Sequence, residues 1–298
     1  MPLYLTNIAS MSAMRTLNNV TSELNTVFQR LSSGKRINSA KDDPAGLMIA
    51  DRLTAQINGY KQGSRNLNDG ISVAQTMEHA LDESKNMLQR IRTLAVQAAT
   101  GTYSDADRKA MDTEAQELCN EITRISKSTT FGGAQILAGN SGGMFSANGS
   151  IDIQCSGTVG DKISIPGFAD GFSISGMASY LNISDGESYF KNAGSSLAFS
   201  LTSASNAESV LGCIDKYINT VSSYQARLGA VQNRMESAIR NNGSMYENLS
   251  DARSRIEDTD YAEEASKLAE LMVRQQVIAS LFSRINNSKS VVLSLLGG

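Results

Sequence analysis

The 298-residue chain has no Trp, a single His and three Cys. Each scarcity removes a class of chemistry. With His79 as the only histidine, two-His metal sites, His-x-x-x-His protease motifs and multi-imidazole relays cannot be built. The cysteines, Cys119, Cys155 and Cys213, lie far apart with no C-x-x-C pair, and an odd number cannot close into a disulfide framework. Three prolines, Pro2, Pro44 and Pro166, leave long stretches in which a helix runs uninterrupted. No apolar run approaches the roughly 20 residues needed to cross a bilayer. The opening MPLYLTNIASMSAMRTL lacks the basic start, continuous apolar block and small-residue cleavage site of an ordinary secretory signal. A net charge of −3 and a pI near 5.4 give no reason to expect nucleic acid or an acidic membrane surface as partner. On these features alone the chain reads as a cytosolic helical protein.

What is present is helical periodicity. Ala13, Leu17, Val20, Leu24, Val27 and Leu31 alternate steps of four and three, which predicts an amphipathic helix over 13–31. In SSGKRIN, Gly34 suits a left-handed C-terminal cap. In KDDPAG, Asp43 is an N-cap and Pro44 fits the first helical position. The helix that starts there should reach about Thr100 on a seam of Leu53, Tyr60, Leu67, Ala74, Leu81, Leu88 and Ala95. Its flanking row drifts from Ala50, Ile57 and Ile71 to Met77, Ile91 and Ala98, which suits a multi-helix bundle. Ser104 and Asp107 are spaced as a capping box before a helix carrying Met111, Ala115, Leu118, Ile122 and Ile125.

Residues 131–205 then hold 13 of the 24 glycines and six of the eight phenylalanines. Within them SIDIQC, DKISIPG and GFSIS read as strands joined by Gly-containing turns. From about Asn206 the helical pattern returns. Val210, Ile214, Tyr217, Val221, Tyr224, Leu228, Val231, Met235, Ala238, Asn242, Met245, Leu249, Ala252 and Ile256 keep the 4–3 alternation. At 1.5 Å per residue this is a helix roughly 70 Å long.

The polar features mostly reduce to helix surfaces. In VSSYQARLGAVQNR (221–234), Gln225, Arg227, Gln232, Asn233 and Arg234 lie off the seam and read as its polar flank. His79 reads as a surface residue, and Asp42 and Asp43 as a helix start. Glu257, Asp258, Asp260, Glu263 and Glu264 read as a solvated charged turn, because the alternating oxygen-ligand loop with a central Gly is missing. FGGAQILAGNSGG lacks the Lys-Ser/Thr of a phosphate loop. Cys119 and Cys213 adjoin the seam residues Leu118 and Ile214 and read as small buried hydrophobes. No catalytic, metal or cofactor residue emerges.

The last segment differs in kind. Leu268, Leu271, Met272, Val273, Val277, Ile278, Leu281, Phe282 and Ile285 spread over about 260° of a helical wheel, more than one neighbouring helix can cover. The helix at 13–31 supplies one partner, and the remaining cover must come from other copies of the chain. Leu268, Leu271, Met272, Ile278, Leu281, Phe282 and Ile285 are therefore expected in packing between subunits.

Several long motifs resemble bacterial flagellin. QRLSSGKRINSAKDDPAGLMIADRL, SRNLNDGISVAQTMEHAL and LQRIRTLAVQAATGTYSDADR are similar to its N-terminal region. YQARLGAVQNR, ENLSDARSRIEDTDYAEE and QQVIASLFSRINNSKSVVLSLL are similar to its C-terminal region. The resemblance covers roughly 1–140 and 205–298. It implies a mainly α fold, with long N- and C-terminal helices paired as a coiled coil and a helical rod and a small β-rich hairpin insertion in the middle. The implied domains are an inner coiled coil of 1–43 with 257–298, ordered on assembly, a rod of 44–140 with 206–256, and a variable region at 141–205.

The implied function is that of a structural subunit, with no enzymatic activity, that polymerises into the extracellular flagellar filament for swimming. It also implies unfolded export by the flagellar type III system and an export chaperone at the C-terminal segment. Hook-associated and cap proteins are the implied partners beside the chain's own copies. Where a host is met, a Toll-like innate-immune receptor is implied, and LQRIRTL and DTEAQEL carry Arg90, Leu94 and Glu114 as its contact. The alternative within the superfamily is a hook–filament junction protein. A flagellin carrying an inserted metalloprotease is excluded by the single His and the 75-residue middle.

Overall fold

The computed structural model describes residues 8–139, 149–183, 188–193 and 196–296. In chain order the elements are α1 (Ile8–Ser33), α2 (Pro44–Ala99), α3 (Asp105–Ser128), β1 (Thr130–Phe131), β2 (Ala134–Gln135), β3 (Ser150–Gln154), β4 (Lys162–Pro166), α4 (Ile174–Tyr180), β5 (Phe190–Ala193), β6 (Ser196–Phe199), α5 (Ala204–Glu257) and α6 (Tyr261–Leu296). The expected β-rich region lies partly outside the described residues, at 141–148, 184–187 and 194–195. The chain forms two compact units, Met1–Ile57 with Glu247–Gly298, and Asn58–Tyr246.

In the Asn58–Tyr246 unit the core follows the heptad seams. Leu67, Ala74, Met77, Leu81, Leu88, Ile91, Ala95 and Ala98 of α2 are buried with Val210, Ile214, Tyr217, Val221, Leu228 and Met235 of α5. Helix α3 adds Ala115, Cys119 and Ile122. The capping box forms as expected, with Ser104 accepting from the Asp107 N–H and Asp107 accepting from the Ser104 N–H. Hydrogen bonds from Ser104 hold the Asp107 carboxyl below the usual carboxylate range. The α5 seam is interrupted at Met245, which is exposed, while Leu249, Ala252 and Ile256 beyond it are half-buried.

Among the described residues three antiparallel hairpins decorate this bundle. In β1–β2 the two-residue link Gly132–Gly133 has positive φ at both positions, as a type I′ turn requires. In β3–β4, Ile151 pairs with Ile165 and Ile153 with Ile163. That hairpin lies on α2 where Gly59, Gly63 and Gly70 remove side chains. A Cβ on Gly63 would overlap the Cys155 carbonyl, and one on Gly59 would meet the Gly157 backbone at 2.8 Å. Asn66 Nδ2 donates to the Gln154 carbonyl at 3.2 Å and Asn242 Nδ2 to the Cys155 carbonyl at 2.8 Å, which fix the hairpin from α2 and α5.

GFSIS is not a strand. Its second half opens α4, with Ser173 capping the helix through the Gly176 N–H at 3.1 Å. Ile174, Met177 and Ala178 then bury one helical face against the core. Two apolar residues at alternate positions fit either period, and the cap together with Met177 decides for the helix. Phe168 after β4 stacks on Tyr224 of α5 with ring centroids 3.8 Å apart.

In the terminal unit α1 and α6 run antiparallel, with Gly34 beside Tyr261 at one end and Arg30 facing Glu264 one turn further on. Val20, Leu24, Val27 and Leu271 form the buried seam, flanked by Leu31, Leu268 and Ile278. Gly34 has a φ of +71° and closes α1 in the left-handed conformation. Asp43 accepts from the N–H groups of Ala45 and Gly46 at 3.1 and 2.9 Å, which starts α2 at Pro44.

Candidate assembly and receptor surfaces

The stretch 221–234 is a polar ladder beside a seam. Gln225 Nε2 donates to Asp82 of α2 at 2.6 Å, and Gln232 Nε2 to Glu78 at 2.9 Å. Ten residues before Gln225, Asp215 takes Arg92 of α2 at 2.7 Å. Arg227 sits 5.9 Å from the centre of the Tyr224 ring, a cation–π distance. The Gln225–Asp82, Gln232–Glu78 and Arg92–Asp215 contacts set α2 against α5, as the flanking position off the apolar seam suggests. Burial pushes the Tyr224 hydroxyl up to about 12 and the thiols of Cys119 and Cys213 up to about 12 and 11. All three cysteines are buried free thiols, so they pack as small hydrophobes.

The acidic stretch 257–264 departs from its reading as a solvated turn. Asp258, Asp260 and Glu263 are exposed, but Glu257 and Glu264 are buried. Glu264 accepts from Arg30 at 3.4 Å, and Glu257 accepts from Lys35 at 2.5 Å. Their cationic partners are more than 200 positions away along the chain, so local sequence carried no signal of the pairing.

Helix α6 shows one covered stripe and one open one. Glu264, Leu268, Leu271, Gln275, Ile278, Phe282 and Ile285 are buried or half-buried at 4–3 spacing. On its other side Val273, Val277 and Leu281, and on one flank Met272, are 49–60% exposed. Helix α1 adds exposed Ile8, Met11, Met14 and Phe28. Leu271, expected to pack between subunits, is 2% exposed and already covered by α1. The apolar surface left for a neighbour is thus centred on Met272, Val273, Val277 and Leu281. Completing the burial of these four half-covered side chains would be worth about 3–6 kcal/mol per subunit.

The three residues expected at a receptor contact separate. Arg90 and Glu114 meet across α2 and α3, with Arg90 Nη2 2.7 Å from Glu114 Oε1 and both side chains roughly half exposed. Leu94 is 2% exposed and belongs to the core cluster. The apolar knob expected beside Arg90 is therefore turned inward, because one helix face cannot both line a three-helix core and project into solvent.

Residues 5–142 match the bacterial flagellin N-terminal helical region, and residues 211–296 match the C-terminal helical region of the same family. Flagellin A of Vibrio anguillarum is 33% identical over 374 aligned positions that span 98% of each chain. The chain belongs to the bacterial flagellin family. Flagellin A of Vibrio cholerae serotype O1 is 34% identical, again across 98% of both chains. Both alignments exceed this chain's length, so the relatives carry residues that it lacks.

A solved structure of a flagellar hook-associated protein from Vibrio parahaemolyticus covers 73% of this chain and all of its own, with a TM-score of 0.54. At 13% identity that likeness shows a shared fold alone. The flagellin matches decide against the hook–filament junction reading, and the chain is a structural subunit of the flagellar filament. The filament is extracellular, which overturns the cytosolic reading of the composition. Composition reports how a chain folds and not how it leaves the cell.

Proposed function

We propose that α1 and α6 of the terminal unit, within 1–43 and 257–298, form the inner polymerising part of this flagellin. The observation that carries the proposal is the apolar stripe of Val273, Val277 and Leu281, with Met272 on the far flank, which α1 leaves half exposed. A polymer of identical subunits covers such a stripe with the next copy, and so gains the remaining hydrophobic burial. The same surface explains why the arms would stay mobile until assembly, since the α1–α6 seam alone is narrow. It also gives an export chaperone an apolar amphipathic target before the chain passes unfolded through the type III channel. Cap and hook-associated proteins would meet the subunit at the growing and fixed ends of the filament.

Amide exchange tests this reading. In purified monomer, exchange should be fast across about 8–40 and 260–296 and slow along the α2 and α5 seams, and the arms should become protected in filaments. Arms equally protected in both states would overturn it.

A second reading, supported by the exposed Arg90–Glu114 pair, is that this face of α2 and α3 meets the Toll-like flagellin receptor. Arg90 offers a planar donor fork that Glu114 holds in place, and Leu94 supports the helix from inside. Arg90→Ala should lower receptor signalling by monomer at least about tenfold, the size of an interface hot spot, with helicity unchanged. An unchanged response would move the epitope elsewhere.

A further inference from the structure

The links between the arms and the rest of the terminal unit are joined by a charged clasp. The Arg36 N–H donates to the Glu257 carbonyl at 2.6 Å, and the Thr259 N–H donates to the Gly34 carbonyl at 3.0 Å. Lys35 and Asp258 form an isolated antiparallel bridge. Around this backbone stitch stand Arg30, Lys35, Arg36 and Arg253. Arg36 Nη2 donates to the Ile256 carbonyl at 2.7 Å. The buried Glu257 lies 2.5 Å from Lys35 Nζ and 3.9 Å from Arg253 Nε. Glu264 is 6% exposed and faces Arg30, whose Nε is buried and has no hydrogen-bond partner among the described residues.

The apolar seam cannot set the register of α1 on α6 by itself. Leu17, Val20, Leu24, Val27 and Leu31 repeat every three or four residues, as do Leu268, Leu271, Gln275, Ile278, Phe282 and Ile285, with Gln275 the one neutral polar side chain in the row. A slip of seven residues would set apolar side chains on apolar side chains again, except opposite the uncharged Gln275. In one direction, however, it would bring Arg30 against Leu271 and leave Glu264 buried without a cation, and burying an unpaired charge is strongly unfavourable. The other direction is closed by the backbone stitch at 34–36 and 257–259. Only one register satisfies both charges.

We propose that the Arg30–Glu264 pair, backed by the Lys35–Glu257 clasp, is the register-determining element for pairing of the N- and C-terminal arms. The stitch at 34–36 and 257–259 brings the arms together at one end, and the Arg30–Glu264 pair admits the seam in one alignment only. In that alignment the α6 stripe of Val273, Val277 and Leu281 faces outward as a continuous surface. Arg30 and Glu264 are positioning residues and need not touch a neighbouring subunit. The proposal rests on the reading of the arms as the polymerising part.

Elongation of sonicated wild-type filaments by added monomer tests it, followed by light scattering and filament length. Wild-type monomer must elongate the seeds, and its failure would sink the filament reading rather than the register proposal. Arg30→Glu and Glu264→Arg should each slow elongation at least about tenfold, as expected for a broken buried pair. The double exchange, Arg30→Glu with Glu264→Arg, should recover to within about threefold of wild type, because the cycle isolates the pairwise interaction. Arg30→Gln, which removes the charge without reversing it, should fall between. Thermal melting of the Asn58–Tyr246 unit should be the same in all variants. Single reversals that elongate normally would overturn the proposal, and so would a double exchange no better than the single ones.

Discussion

Val277→Asp combined with Leu281→Asp is expected to stop filament growth while leaving the monomer's helices intact. Both side chains stand four apart on the open side of α6, each about half exposed, so the lone subunit tolerates a carboxylate there. In the polymer the same positions would be covered by a neighbouring copy. Two unpaired carboxylates buried there cost at least about 3 kcal/mol each, enough to lower elongation by 100-fold or more. The choice of residues depends on the structure. Phe282 lies on the stripe turned toward α1 and is half-buried, so Phe282→Asp would also disturb the intramolecular seam. Filaments of normal length and yield from the double variant, measured by electron microscopy and sedimentation, would show that this stripe is not an interface.

Gly63→Val is expected to have the largest effect on the monomer. A Cβ at Gly63 would overlap the Cys155 carbonyl, which itself accepts the hydrogen bond from Asn242. The β3–β4 hairpin would have to lift from α2, giving up that bond and the one from Asn66 to Gln154. Forcing bulk into a backbone contact costs about 3 kcal/mol, so the unit should melt roughly 6–12 °C lower. Gly243→Ala is the control. That glycine is also helical, but a Cβ there meets nothing within 4 Å. Removing its backbone freedom should stabilise α5 by about 0.5–1 kcal/mol. Equal melting temperatures for the Gly63 variant and wild type would show that the hairpin does not need this close approach.

Helix identity, the α1 seam and the inner faces of α2 and α5 were legible because they depend on spacing along one strand of chain. Ala13 to Leu31 and Leu67 to Ala98 repeat at the helical period, and any fold that buries them must use that face. The ends were legible for the same reason. Gly34, Asp43, Pro44 and the Ser104–Asp107 box act on backbone groups only a few residues away. Family membership was legible because the long motifs that carry it are these same helices.

Other features depended on which distant surfaces meet, and residue type alone does not carry that information. Glu257 and Glu264 look solvated until Lys35 and Arg30 arrive from the other end of the chain. Leu94 could face either way until the common core of α2, α3 and α5 takes it in. Gly59 and Gly63 look like helix-weakening residues until the hairpin occupies the space they leave. The wheel of α6 showed an excess of apolar surface, but only α1 decided which side is covered and which side remains for a neighbour. The physical reason is common to all four. A period is set by bonds between neighbouring residues, whereas burial is set by the element that comes to lie on top.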